Sequence, residues 1–141
     1  MKNQRTSPFI LPPSSFIIFF ASLFILGGCS KPIEKRLAGT WKVEDVQFKS
    51  QLPLDPALMQ SSEESQKTIS YELLENDTAI VHAGYSTFTG IWVYKEADQS
   101  VYMVFSGTFD TILLGKFEDG KLVNKESKPD IEITTIFAKE K

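Results

Sequence analysis

The stretch Leu37-Ala38-Gly39-Thr40-Trp41-Lys42-Val43 begins the folded part of the chain and determines how the rest is interpreted. Its Trp and Val alternate with polar residues, which is the period of a β-strand with one buried face. The alternation then changes phase, and the next apolar pair is Val46 and Phe48. We therefore predict a first strand over Thr40–Phe48 with a bulge or bend near Glu44-Asp45.

Similar short alternating segments follow along the chain. They cover about Thr68–Leu74, Thr78–Ala83, Phe88–Lys95, Ser100–Phe105, Thr108–Phe117, Lys121–Asn124 and Ile131–Ala138. The intervening Glu75-Asn76-Asp77 and Glu118-Asp119-Gly120 are typical of hairpin turns. Eight strands in consecutive hairpins form a meander, and closure of the meander removes exposed edges. We predict an all-β, eight-stranded antiparallel up-and-down β-barrel, although an open half-barrel or a two-sheet sandwich fits the same pattern.

A glycine two residues before a tryptophan occurs twice, in Gly39-Thr40-Trp41 and in Gly90-Ile91-Trp92. The first copy, at the start of the first strand, resembles the lipocalin and lipocalin-like families, and the resemblance extends over most of residues 37–141. It implies that Trp41 plugs the closed end of the barrel and that Gly39 permits a close approach to the strand. Both residues would then be structural and not ligand contacts.

The segment from Lys49 to Lys67 departs from the β pattern. Asp55 and Pro56 suit the N-cap and first position of a helix, and a short helix over residues 57–64 follows from them. In a lipocalin-like barrel the connection between the first two strands is long and overhangs the open end. We therefore predict a lid or rim segment between strands one and two, with a plain loop as the alternative.

The N-terminus has the layout of a secretory signal. Lys2 and Arg5 precede an apolar core over Phe16–Leu26, which is shorter than the roughly 20 residues that span a bilayer. The following Leu26-Gly27-Gly28-Cys29 resembles the lipobox of bacterial lipoprotein precursors. The resemblance implies a signal peptide over 1–28, a diacylglyceryl thioether on Cys29 and acylation of the new amine; an ordinary cleaved signal is the alternative.

This interpretation divides the chain into the signal, a lipidated Cys and tether over 29–36, and a barrel domain over 37–141. Cys29 is the single cysteine of the sequence, so no disulfide can form within the chain. The resemblance implies a lipid-anchored protein of the bacterial cell envelope. Ser30 after the lipidated cysteine favours the outer membrane by the sorting habits of enteric lipoproteins, and the periplasmic or external face stays open.

The charge pattern and the chemistry-bearing residues exclude several functions. The formal net charge is −3, and loss of Lys2 and Arg5 with the signal makes the remaining chain more acidic, which argues against nucleic acid as a partner. The sequence has one histidine, His82, and lacks a metal-ligand cluster, a nucleophile elbow and a phosphate-binding glycine loop. We therefore predict no catalytic residue, no metal, no cofactor and no enzyme activity.

The barrel interior is the remaining candidate for a site. An eight-stranded barrel is either filled by side chains or holds one small ligand, and aromatic walls with polar tips suit a hydrophobic or amphipathic molecule. We predict a ligand site near five residues, namely Tyr71, His82, Trp92, Tyr102 and Met103. If side chains fill the barrel instead, we expect an interaction protein, such as an inhibitor or assembly accessory, whose protein partner the sequence does not identify.

Overall fold

The computed structural model describes residues 32–108 and 110–141. The predicted signal peptide and Cys29 lie outside this part. Its helices are α1 (Ile33–Leu37) and α2 (Pro56–Lys67). Its strands are β1 (Gly39–Ser50), β2 (Ile69–Leu73), β3 (Thr78–Ala83), β4 (Ser86–Lys95), β5 (Ser100–Phe105), β6 (Thr111–Glu118), β7 (Lys121–Ser127) and β8 (Ile131–Lys139).

The strands form a closed barrel in which each pairs antiparallel with the next. β1 also pairs antiparallel with β8, from Trp41↔Lys139 to Ser50↔Ile131, and this pairing closes the sheet. The predicted eight-stranded up-and-down barrel is therefore confirmed, and the open half-barrel and the sandwich are excluded. Closure leaves no long unpaired edge, which is the physical reason to expect it for a meander of this size.

The bulge predicted from the phase change in β1 is confirmed. The pairing of β1 with β8 shifts register between Val43 and Asp45, so Glu44 is the extra residue. An extra residue in one strand reverses the inward and outward phase beyond it. This reversal lets both Trp41 and Val46 be buried although they are five positions apart.

The predicted strand ends differ from the observed ones by three residues at two places and by at most two residues elsewhere. β6 begins at Thr111 and not at Thr108, because the chain turns at Ser106 and Gly107. The Phe105 N–H donates to the carbonyl oxygen of Asp110 across this turn, and β6 follows directly. β7 continues to Ser127 and not only to Asn124. Its last three residues are polar and exposed, so the hydrophobic alternation that identifies a strand is absent there.

Residues 33–36, which we assigned to the tether, are part of α1. Ile33 and Leu37 are four residues apart and therefore lie on one side of a helix. Leu37 is 0% exposed, and Ile33 packs against the core. One turn of helix is too short to produce a recognisable apolar period, and this explains why the sequence pattern did not predict it.

The end of the barrel next to α1 is closed by Trp41. Its side chain is 1% exposed and meets the ring of Phe117 edge to face, with 6.1 Å between ring centroids. Its indole Nε1–H donates to the carbonyl oxygen of Leu37 at 2.8 Å. Trp41 thus joins α1 to the barrel core.

The second Gly-x-Trp sequence has a related arrangement in β4. Trp92 is buried, and its indole Nε1–H donates to the carbonyl oxygen of Leu74 at 2.9 Å. At Gly90, a Cβ would collide with the backbone carbonyl oxygen of Val104 on β5. The glycine is required here because the neighbouring backbone approaches too closely for any side chain.

The helix predicted between the first two strands is confirmed and is longer than expected. Asp55 is its N-cap, and the Asp55 Oδ1 accepts a hydrogen bond from the Ala57 N–H at 2.9 Å. α2 continues to Lys67, beyond the predicted end at residue 64. None of its residues is buried, so α2 lies at the rim of the barrel and contributes little to the core.

Candidate binding site

The interior of the barrel differs between its two ends. The half next to α1 is filled by fully buried side chains, among them Leu73, Met103, Leu114 and Leu122. The half next to α2 contains a cavity of about 320 Å³ that is open to solvent. This volume lies at the lower end of the range for small-molecule pockets, which is about 300–1,000 Å³.

The cavity walls come from the inward faces of the strands and from the end of α2. Apolar walls are provided by Ile69, Tyr71, Val81, Ala83, Phe88, Phe105, Ile112, Leu113 and Phe137. Polar walls are provided by Gln66, Asn124, Glu126 and Thr135. Asn124, Glu126 and Thr135 are on the adjacent strands β7 and β8, so most of the polar groups lie close together, beside Phe137 of β8.

Two aromatic pairs form much of the apolar lining. Tyr71 stacks on Phe137 with 4.4 Å between ring centroids and 28° between planes. Phe88 and Phe105 pack edge to face with centroids 5.9 Å apart. Aromatic rings bury a large area in a defined orientation, so these pairs offer a preformed surface to an apolar group.

Tyr71 also presents a hydroxyl group. The residue is 6% exposed, and its hydroxyl makes no hydrogen bond to any residue in the described part of the chain. No polar side-chain atom in that part is both fully buried and unpaired, so the hydroxyl is accessible from the cavity. Burial raises the pKa of Tyr71 well above its ordinary value, so the hydroxyl stays protonated far into the alkaline range.

Asn124 is held in one orientation by the backbone of β6. Its Nδ2 donates to the carbonyl oxygens of Leu113 and Leu114 at 3.0 and 3.2 Å. These carbonyls lie at the register shift between β5 and β6, where Leu114 is the extra residue. Because carbonyl oxygens accept hydrogen bonds only from the amide nitrogen, the Oδ1 of Asn124 remains available as an acceptor.

The remaining polar groups are at the mouth. The Oγ1 of Thr135 donates to the Oε1 of Gln66 at 3.5 Å, a long contact that joins β8 to α2. Glu126 is near the end of β7, and its Oε1 is 3.3 Å from the Nζ of Lys128. Both partners are about half exposed, so this ion pair contributes about 0–1 kcal/mol.

Three of the five predicted ligand residues lie within the barrel. Tyr71 lines the cavity. Trp92 and Met103 are buried in the barrel interior, in the filled part, and do not line the cavity. Their inward orientation agrees with the strand alternation, but their position along the strands places them nearer the closed end.

His82 and Tyr102 have their side chains on the outer face of the barrel, which differs from the prediction. Val81 and Met103 are buried inside, and adjacent residues of a strand face opposite sides. The His82 Nε2 is 3.0 Å from the Glu72 Oε1. The Tyr102 hydroxyl donates to the Asp98 Oδ2 at 3.4 Å.

The polar residues of the cavity on β7 and β8 were not among the residues predicted for the site. Asn124 and Glu126 follow Leu122 at intervals of two, so all three share the inward face of β7. For Asn124 this alternation was visible within the predicted strand, whereas Glu126 required knowing that β7 continues past Asn124. Thr135 was similarly overlooked between the buried Ile133 and Phe137 of β8.

A second depression, of about 520 Å³, lies outside the closed end. It is lined by Ile33, Arg36, Tyr94, Gln99, Phe117, Glu118 and Asp119. Its walls are mostly polar and it is more open to solvent than the internal cavity. The internal cavity is therefore the better candidate for a specific small-molecule site.

Two kinds of feature are absent from residues 32–108 and 110–141. No three His, Cys, Asp or Glu side chains there are grouped to hold a metal ion. No helix in the same residues is long and apolar enough to cross a membrane.

The fold and the cavity define a class of protein. The described chain is a closed, eight-stranded antiparallel barrel with an internal cavity at one end, which is compatible with a lipocalin-like barrel. Comparison of the chain with protein-family models, curated proteins and solved structures found no match.

Proposed function

We propose that this protein is a lipid-anchored, non-catalytic binding protein that holds one small hydrophobic or amphipathic molecule in its barrel. The observation that carries the proposal is the cavity of about 320 Å³, whose lining combines aromatic rings with a small group of polar side chains. The anchor and the location in the cell envelope, with the outer membrane favoured, are supported by the sequence around Cys29. Trp92 and Met103 support the floor of the site in this proposal, and Tyr71 contacts the ligand.

The polar side chains argue for an occupant instead of a dry core. Asn124 and Thr135 line the cavity, and the Oδ1 of Asn124 would cost about 1–3 kcal/mol if a dry core left it unpaired. A filled apolar interior would avoid this cost, as the closed half of the same barrel does. Water or a polar ligand group satisfies these side chains, so the arrangement favours a molecule with both polar and apolar parts.

An interaction protein is the alternative, and one surface favours it. Ile91 and Val93 on the outer face of β4 are 56% and 49% exposed. They pair with Val104 and Tyr102 on β5, so the exposed apolar area continues across two strands. Contiguous apolar patches of this kind often mark protein contacts.

Blocking the cavity tests the main proposal. Ala83 lines the cavity, and Ala83→Phe would place a ring in it. Thr89→Phe is the matched control, because Thr89 is exposed on the outer face of the adjacent β4. The full chain would be expressed in a bacterial host and isolated in lipid nanodiscs, and the small molecules retained would be quantified by mass spectrometry against empty nanodiscs.

We expect the unmodified protein and Thr89→Phe to retain the same molecule and Ala83→Phe to lose it, with similar unfolding midpoints for all three once the ligand has been removed. If nothing is retained, or if Ala83→Phe retains as much as the control, the cavity is not a binding site. The outer apolar surface would then become the leading candidate.

A further inference from the structure

We propose, on the basis of the binding function above, that the ligand is an amphipathic amine: an apolar body with one protonated amino group. This class excludes fatty acids and other anionic amphiphiles. The charges and hydrogen-bond acceptors among the lining residues, together with the aromatic rings beside them, favour this class of ligand.

The charged group among the residues that line the cavity is negative. Among the described residues that line the cavity, Glu126 is the one with a charged side chain. A carboxylate or phosphate group that entered the cavity would meet no Lys, Arg or His of that lining. Removing an unpaired anion from water is costly, and the carboxylate of Glu126 would add repulsion.

The residues that line the cavity also offer hydrogen-bond acceptors. The Asn124 Oδ1 is available because the Nδ2 of the same side chain is occupied by two carbonyl oxygens. Asn124 and Glu126 lie two positions apart on β7, and thus about 7 Å apart along the strand. An ammonium group has three N–H donors and no acceptor, so one placed between them could donate to both side chains.

The apolar lining completes the site. Tyr71, Phe88 and Phe105 also line the cavity, and their rings can cover the body of the ligand. An apolar molecule with a single amino group would therefore satisfy both kinds of lining at once. A neutral alcohol of the same shape would bind through the apolar lining and gain less from Glu126.

The charge of Lys128 should have the opposite effect on amine binding to the charge of Glu126. Its Nζ is 3.3 Å from the Glu126 Oε1 and partly neutralises that carboxylate. A bound ammonium group would compete with Lys128 for the same oxygen. Removing the Lys128 charge should consequently strengthen amine binding, whereas removing the Glu126 charge should weaken it.

The experiment uses three probes with the same body: 3-phenylpropylamine, 3-phenylpropan-1-ol and 3-phenylpropanoate. Each is titrated by calorimetry at neutral pH into the full chain in lipid nanodiscs, with empty nanodiscs as the blank. The variants are Glu126→Gln and Lys128→Gln. Glu118→Gln is the control, because it makes the same charge change on an exposed residue at the closed end.

We expect the amine to bind about three- to tenfold more tightly than the alcohol, and the carboxylate to bind most weakly. Glu126→Gln should weaken amine binding more than alcohol binding and so abolish the preference for the amine. Lys128→Gln should increase the preference, and Glu118→Gln should have no effect. The inference would be overturned, with the binding function left intact, by either of two results. One is carboxylate binding as tight as or tighter than amine binding, and the other is an unchanged preference for the amine in Glu126→Gln. Failure of all three probes to bind would overturn both proposals.

Discussion

Replacing Trp41 tests how the closed end of the barrel is held together. The side chain is 1% exposed, contacts Phe117, and donates from its indole to the carbonyl oxygen of Leu37. Trp41→Ala should therefore cost about 3–5 kcal/mol through loss of apolar contacts and the cavity left behind. Leaving the buried Leu37 carbonyl unpaired adds about 1–3 kcal/mol, unless water reaches it.

Trp41→Phe separates the two contributions. The phenyl ring keeps part of the packing against Phe117 but cannot donate to Leu37, so we expect a smaller loss that still includes the hydrogen bond. Domains of this kind have about 5–15 kcal/mol of total stability, and the alanine variant can therefore approach complete unfolding. The phenylalanine variant keeps the effect measurable.

The assay is equilibrium urea unfolding followed by far-ultraviolet circular dichroism. A loss below about 1 kcal/mol for Trp41→Ala would refute the argument, because a fully buried tryptophan at a closed barrel end cannot be removed so cheaply. Equal stability of Trp41→Phe and the unmodified protein would show that the indole hydrogen bond to Leu37 contributes nothing net.

Three further predictions concern the strands, the cavity and the anchor. Gly90→Ala should destabilise the protein by about 1–3 kcal/mol in urea unfolding, because the added Cβ collides with the Val104 carbonyl oxygen; an unchanged midpoint would contradict this close approach. Burial raises the pKa of Tyr71 above its unfolded value of 10.0, so its contribution to stability is full below pH 10.0 and is lost at higher pH. Tyr71→Phe should therefore flatten the alkaline fall in the unfolding midpoint. Tyr85→Phe, at an exposed position, should leave that fall unchanged. Cys29→Ser should abolish incorporation of labelled fatty acid in cells, and persistent labelling would disprove the lipid anchor.

The fold was predictable because its determinants are local. Alternation along the strands, the turn at Asp119-Gly120 and the phase change after Val43 are each visible within a few residues. All of them correspond to features of the barrel, including the bulge at Glu44. Helix α1 was missed because one turn of helix contains too few apolar positions to show a period.

The site was less predictable because it depends on position along the barrel as well as on phase. Trp92 and Tyr71 both face inward, but whether a residue meets the filled half or the open half follows from strand register. His82 and Tyr102 were assigned to the site by residue type, and their phase places them outside. Asn124 was overlooked because its role depends on the carbonyl groups of a bulge in β6, and the sequence of β7 does not indicate that bulge.

The two predictions for the barrel interior, a solid core and a ligand pocket, apply to different halves of the same barrel. The half around Trp41 and Leu122 is filled by fully buried side chains, so substitutions there act on stability. The half around Tyr71 and Asn124 surrounds open space, so a side chain such as that of Ala83 can be enlarged without displacing a packed neighbour. A ligand that binds in the open half stabilises the folded state by mass action, even though the closed half already holds the fold. Changes in the closed half should therefore alter stability in the presence and absence of ligand alike, whereas changes at the mouth should alter only the increment that the ligand adds.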